Sequence, residues 1–334
     1  MAAPVHTYTS AELLAKYDIP SPRYTSYPTV PFWDEKPLTQ ERWLLHVQQA
    51  FTKTNASAGI SVYLHLPFCE QLCTYCGCNK RITKNHAVEE PYMQALLQEW
   101  EQYIAVFDQK PRIAELHLGG GTPTFFSADN LKLLLEKLLE KAEIAEDAAF
   151  SVEVHPNNTN AEQLQVLYDL GFRRLSVGIQ DFDPRVQFVI NRIQTFEQTK
   201  YIFDVAREIG YTSINGDIIY GLPHQTADSV RHTIERVKEL MPERIAFYSY
   251  AHVPWKSKAQ RRYSKKDLPA PAVKRGLYEL GRTMLEEAGY LEIGLDHFAL
   301  PSDELYLAAQ NGTLHRNFMG YTCLLYTSPS PRDS

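Results

Sequence analysis

From Ile60 to about Tyr250 the chain alternates short apolar runs with stretches in which apolar residues recur every three or four positions. The runs ISVYLHL (60–66), IAELHL (113–118), FSVEVH (150–155), RLSVGIQ (174–180), TSINGDIIY (212–220) and RIAFYSY (244–250) predict strands. Between them, Met93, Leu96, Leu97, Trp100, Ile104 and Phe107 keep helical spacing, as do Leu131, Leu134, Leu135 and Leu138 after a cap at Ser127. Ile202, Val205 and Ile209 follow a capping box at Thr195 and Gln198, and Gly210 stops that helix. Helices near 161–170 and 227–240 complete the alternation.

Six βα units in a row predict a parallel sheet with right-handed crossovers. Six falls short of the eight of a closed barrel, so an open, partial (β/α)6 barrel is expected, with a doubly wound sheet as the alternative. In either architecture the C-terminal strand ends build the site. Polar residues gather there: a cysteine loop after the first strand, glycines after the second, Glu153 in the third, Gln180 ending the fourth and Asp217 in the fifth.

The prolines of PSPRYTSYPTVPFWDE (20–35) forbid a helix and predict an extended arm. After the barrel a helix is expected around 272–288. The tail CLLYTSPSPRDS (323–334) reads as disordered. The expected organisation is an arm and helix over 1–58, the barrel over 59–255, a barrel-extending segment over 256–322 and the tail.

The 334 residues are 44% hydrophobic and 22% charged, with a net charge of −6, which argues against a nucleic-acid binder. No apolar run is long enough to span a bilayer and no secretory signal opens the chain, so a reducing, cytoplasmic setting is expected. There, cysteines serve thiol chemistry or metal binding.

Four of the five cysteines lie in CEQLCTYCGC (69–78). A zinc site usually pairs two separated Cys-x2-Cys units, and this loop has no second pair. Cys69, Cys73 and Cys76 can hold an iron–sulfur cluster and leave one iron open, the mark of a catalytic centre. This Cys-x3-Cys-x2-Cys spacing directly after a first barrel strand resembles the radical S-adenosylmethionine (SAM) superfamily.

Within it, PRYTSYPT (22–29), YLHLPFCEQLCTYCGCNK (63–80), LHLGGGTPT (116–124), LSVGIQDF (175–182), DIIYGLP (217–223), YAHVPW (250–255), LDHFALPSDEL (295–305) and LHRNFMGYT (314–322) resemble the oxygen-independent coproporphyrinogen III oxidase family. The resemblance implies a [4Fe-4S] cluster on Cys69, Cys73 and Cys76 and two SAM molecules. One would contact Tyr63, Tyr75, Gly120, Glu153 and Ala251. The other would contact Gly121, Thr122, Gln180, Arg192 and Asp217. Cys78 is implied as a non-ligating thiol that, with Tyr63, serves the reaction. That reaction converts two propionates of coproporphyrinogen III to vinyl groups through a 5′-deoxyadenosyl radical.

The resemblance also implies a flavodoxin-type reductant and a monomer without membrane or nucleic-acid partners. A haem-handling relative of the same fold and a non-catalytic zinc domain are the alternatives. The resemblance ends at Thr322, where the family continues into a C-terminal domain, so the tail is expected to be foreign to the fold. His155 stands where the family commonly has an acid. The basic runs Lys256–Lys258 and Arg261–Lys266 read either as a solvated face or as a rim for substrate carboxylates.

Overall fold

In the computed structural model the described residues are 12, 16, 32, 38–294, 296–317 and 320–322. Apart from Phe32, the predicted arm lies outside them, as does the tail. Helix α1 (Gln40–Thr54) leads to β1 (Ile60–Leu66), followed by the short strands β2 (Phe68–Cys69) and β3 (Arg81–Ile82). The βα repeat then runs α2 (Glu89–Ile104), β4 (Arg112–Gly120), α3 (Ala128–Glu140), β5 (Glu143–Val154), α4 (Ala161–Asp169) and β6 (Phe172–Gln180). It continues through α5 (Pro184–Ile190), α6 (Phe196–Ile209), β7 (Ser213–Tyr220), α7 (Ala227–Leu240) and β8 (Arg244–Ser249). Helix α8 (Pro271–Glu287), β9 (Leu291–Gly294), β10 (His297–Ala299) and α9 (Glu304–Asn311) follow, then the small hairpin β11 (His315–Asn317) and β12 (Gly320–Thr322).

The main sheet has the order β1-β4-β5-β6-β7-β8-β10-β9. The first six strands are parallel and take their places in chain order. A doubly wound sheet needs a point where the order reverses. None occurs here, so the wall is that of a partial barrel. Beyond the predicted six strands, β10 pairs antiparallel with β8, and β9 with β10. These strands of three and four residues are too short to show a pattern in sequence. Strand β5 also starts at Glu143, earlier than expected, because its acidic opening EIAEDAA masks the alternation.

The central strands β4 to β7 place apolar residues on one face and polar residues on the other. Leu116, Leu118, Val152, Leu175, Val177, Ile179, Ile214, Ile218 and Ile245 are buried against the helices. Leu131, Leu134, Leu135 and Leu138 of α3 and Ile202, Phe203 and Ala206 of α6 meet them from outside. Each such side chain contributes roughly 1.5–3 kcal/mol by leaving water. The intervening positions point the other way and are polar: Glu115 and His117, Ser151 and Glu153, Arg174 and Ser176, Asn215 and Asp217. They line a cavity of about 170 Å³. A closed eight-stranded barrel fills its interior with branched apolar side chains; this one keeps a polar lumen.

The lower end of the lumen is closed by Asp303, the N-cap of α9. It accepts from Arg244 Nε at 2.7 Å and from Ser213 Oγ at 3.1 Å, both at strand starts. Among the described residues no helix is long and apolar enough to cross a membrane.

Candidate active site

The cysteine loop crosses the upper mouth of the barrel and is tied down from three sides. From α5, Ile190 O accepts from Thr74 N (2.8 Å), Val189 O accepts from Thr74 Oγ1 (3.0 Å), and Asn191 Nδ2 donates to Leu72 O (2.7 Å). Asn191 holds a left-handed backbone (φ 55°) that turns its side chain onto the loop. From the segment after β8, Gln260 Nε2 donates to Tyr75 O (2.9 Å) and Ala251 O (3.2 Å), and Ser257 Oγ to Cys76 O (3.2 Å). Lys80 Nζ reaches Cys76 O and Cys78 O at 3.1 and 3.2 Å.

The glycine loop after β4 packs directly on the cysteine loop. Gly121 N donates to Leu66 O and Thr122 N to Phe68 O, both at 2.9 Å, and Thr122 Oγ1 donates to Cys69 Sγ at 3.4 Å. A Cβ on Gly121 would stand 2.5 Å from Pro67 O, so only glycine allows this approach.

Glu153 accepts from Gly120 N (3.4 Å) and faces His117 Nε2 (3.3 Å), whose Nδ1 meets Ser151 Oγ (2.7 Å). Tyr63 stacks on His117 with ring centroids 5.7 Å apart and bonds His65 Nδ1 at 3.1 Å. Burial, helped by the Glu153 charge, pushes the Tyr63 phenol up to about 12, so it stays protonated. Asp217 accepts from Ser176 Oγ (2.9 Å) and Asn215 Nδ2 (2.7 Å). Desolvation, reinforced by Glu153, pushes the Asp217 carboxyl up to about 6 against those two bonds.

Arg192 is buried. Its Nη2 donates to Gly178 O (2.6 Å), Nε to Gln194 Oε1 (3.2 Å), and Nη1 to Cys73 Sγ (3.8 Å). Gln180, with φ 69°, ends β6 in a left-handed turn. A Cβ on Gly178 would lie 2.6 Å from Arg192 Nη2 and 2.8 Å from Gln180 Nε2, so these two side chains meet over that glycine. His155 caps the turn after β5 by accepting from Asn157 N (3.2 Å); burial, then the Arg192 charge, pushes its imidazole down to about 2. It is a neutral acceptor where an acid would be repelled by neither neighbour.

All the expected residues thus gather at one end of the barrel. The four loop thiols are free, with Cys73 buried, Cys69 and Cys76 half-buried, and Cys78 exposed. The Cys78 thiol donates to the Cys76 sulfur, which lowers the Cys76 pKa and raises that of Cys78. Among the described residues no three His, Cys, Asp or Glu side chains converge on a point fit for one ion. A four-iron cluster is a wider body than one ion, so its ligands need not converge on a point. Three thiols on one loop, beside a guanidinium and glycine amides, fit such an anionic group.

Sequence reasoning missed Gln260, Thr74 and Asn191, which carry the loop. Their partners are more than a hundred residues away, so no local signal marks them. Ser176 and Asn215 could have been found, since they take the inward positions beside Asp217.

A parallel half-barrel bearing a three-thiol loop and a glycine loop at its mouth defines the class. The radical SAM superfamily model matches residues 63–237, just over half of the chain. The oxygen-independent coproporphyrinogen III oxidase of Pseudomonas aeruginosa is 42% identical over 316 residues, covering 93% of this chain and 67% of the relative. That of Paracoccus denitrificans is 40% identical over 314 residues, covering 93% and 68%. The solved coproporphyrinogen III oxidase of Escherichia coli, described as a radical SAM enzyme, superposes with a TM-score of 0.86 at 40% identity. It covers 94% of this chain and 70% of that one. The chain belongs to the radical SAM superfamily and, within it, to the oxygen-independent coproporphyrinogen III oxidase family. It spans about two thirds of the length of these relatives.

Proposed function

We propose that the chain is the catalytic barrel of an oxygen-independent coproporphyrinogen III oxidase. It converts two propionate side chains of coproporphyrinogen III to vinyl groups, giving protoporphyrinogen IX. The observation that carries this reading is the joining of the cysteine and glycine loops, with Thr122 on Cys69 and Arg192 on Cys73, inside a chain of this family.

Cys69, Cys73 and Cys76 would hold a [4Fe-4S] cluster, which together with SAM would supply the one-electron chemistry needed to remove hydrogen from a propionate β-carbon. Removal of that hydrogen atom, loss of CO2 and transfer of one electron to an acceptor outside the chain would together leave each propionate as a vinyl group.

The chain's own residues bind and orient. Gly120, Glu153, Tyr63, Tyr75 and the Ala251 backbone form the subsite of the first SAM. Gly121, Thr122, Gln180, Arg192 and Asp217 form that of the second. The carboxylates of Glu153 and Asp217 accept from ribose hydroxyls, as acidic residues do in dinucleotide sites. Their present partners are the Gly120 amide and the side chains of His117, Ser176 and Asn215, which leave lone pairs for a ligand. Cys78, exposed beside Cys76, stays outside the cluster and serves the reaction as a thiol.

Anaerobic reconstitution with iron and sulfide, followed by SAM, reductant and coproporphyrinogen III, tests this reading. Divinyl product with 5′-deoxyadenosine is expected. SAM cleavage with all four propionates intact would overturn it.

A further inference from the structure

The segment after β8 has a buried keel and a charged crest. Gln260 is 1% exposed and Tyr263 7%, while Lys256, Lys258, Arg261, Arg262, Lys265 and Lys266 are all exposed. Among the described residues none of these six forms an ion pair with a carboxylate, although one acid, Asp267, closes the run. Arg261 and Arg262 only reach backbone oxygens, of Pro254 (3.1 Å) and Phe188 (3.4 Å). In a chain of net charge −6, six cations within eleven residues, without a carboxylate partner among the described residues, form a local positive field.

Two large aromatics flank the crest. Trp255 is 69% exposed, and Phe188 is 65% exposed with the Arg262 guanidinium 5.5 Å from its ring. Exposed Trp and Arg are among the residue types that dominate protein–protein binding energy.

The keel is bonded to the cysteine loop itself. Gln260 holds Tyr75 O, and Ser257 holds Cys76 O. The crest is therefore an exposed surface built directly onto two residues of the cluster loop. The Glu153 and Asp217 carboxylates, by contrast, lie inside the lumen.

We propose that this ridge docks the electron donor, a small acidic redox protein, against the outer side of the cluster loop. The inference rests on the reading of Cys69, Cys73 and Cys76 as cluster ligands, because such a centre draws its electron from outside the chain. Charge complementarity selects the partner. The chain's net charge repels an acidic protein, and the ridge gives it one favourable approach, which raises the association rate more than the final affinity. A redox protein must also bring its own centre close, and this surface adjoins the loop by single hydrogen bonds.

The test uses the reconstituted full chain and a recombinant bacterial flavodoxin as probe, without coproporphyrinogen. Lys256→Glu/Lys258→Glu reverses two crest charges that make no side-chain bond; Lys132→Glu/Lys137→Glu on α3 makes the same net change elsewhere. The ridge variant is expected to lose about tenfold or more in flavodoxin affinity and in flavodoxin-driven SAM cleavage. Rising salt should weaken the unaltered chain towards the same level. Iron and sulfide content, and SAM cleavage driven by titanium(III) citrate, should not change.

Equal flavodoxin affinity in both variants, or equal loss in both, would overturn the proposal. So would titanium-driven cleavage falling in step with flavodoxin-driven cleavage. A loss of coproporphyrinogen III binding with flavodoxin binding intact would assign the ridge to substrate carboxylates instead. Because the main readouts need no porphyrinogen, failure of the proposed function leaves this test interpretable.

Discussion

Cys78 and Cys76 share a hydrogen bond, yet only Cys76 belongs to the Cys-x3-Cys-x2-Cys set. Cys78→Ser should keep the cluster, read by iron and sulfide content and visible absorption, while turnover falls by at least about tenfold. Loss of the cluster would mean that the two thiols had been assigned the wrong way round. Asp217 gives a pH signature. Its carboxyl is raised to about 6 in the folded chain, above the ordinary carboxylate value, so folding favours the protonated form. As pH rises from about 4 through 6, ionisation stabilises the unfolded chain more, and native stability falls. Asp217→Asn should therefore raise thermal stability at pH 8, by on the order of 1–3 kcal/mol since solvent reaches the lumen, with the gain shrinking towards pH 4. The same change should weaken SAM binding by calorimetry. A variant that binds SAM as tightly as the original would remove Asp217 from the subsite.

At the scale of elements, the cysteine loop depends on neighbours far away in the chain. Gln260 satisfies Tyr75 O and Ala251 O and accepts from Val253 N at 2.6 Å, all while buried. Gln260→Ala leaves those groups unpaired, at about 1–3 kcal/mol each where water cannot follow. It should lower the melting temperature and release iron faster on dilution, with SAM affinity falling alongside. Unchanged iron retention would show that the remaining ties secure the loop without Gln260.

The elements themselves were largely legible in the sequence. The capping boxes at Thr195 and, unforeseen, Asn160 and Thr226 are local chemistry, and the strands carry their periodicity openly. What stayed hidden was long-range: β9 and β10 are too short to signal, α5 spans only seven residues, and Gln260 meets Tyr75 across 185 positions. The placement of the candidate residues was legible because a parallel barrel collects strand ends, so position in the repeat stood in for position in space. Their partners were not: Glu153 meets a histidine and a glycine amide that no local pattern marks.

The whole molecule is a wall of strands with its apolar side turned outward to the helices and its polar side turned in. Such a wall needs closure below as well as a site above. The buried Arg244–Asp303 pair closes it by binding α9 to the starts of β7 and β8. Asp303→Ala strands a buried guanidinium whose Nη2 already lacks a partner, and should cost about 3–5 kcal/mol in denaturant unfolding. A cost below about 1 kcal/mol would mean that α9 is not part of the cooperative unit.

The central claim is that the barrel mouth directs a SAM-derived radical at a propionate carbon. Coproporphyrinogen III deuterated at the propionate β-carbons tests it most directly, in anaerobic turnover followed by mass spectrometry of both products. The account predicts deuterium in 5′-deoxyadenosine and a product lacking two carboxyl groups. Unlabelled 5′-deoxyadenosine beside intact substrate would contradict it.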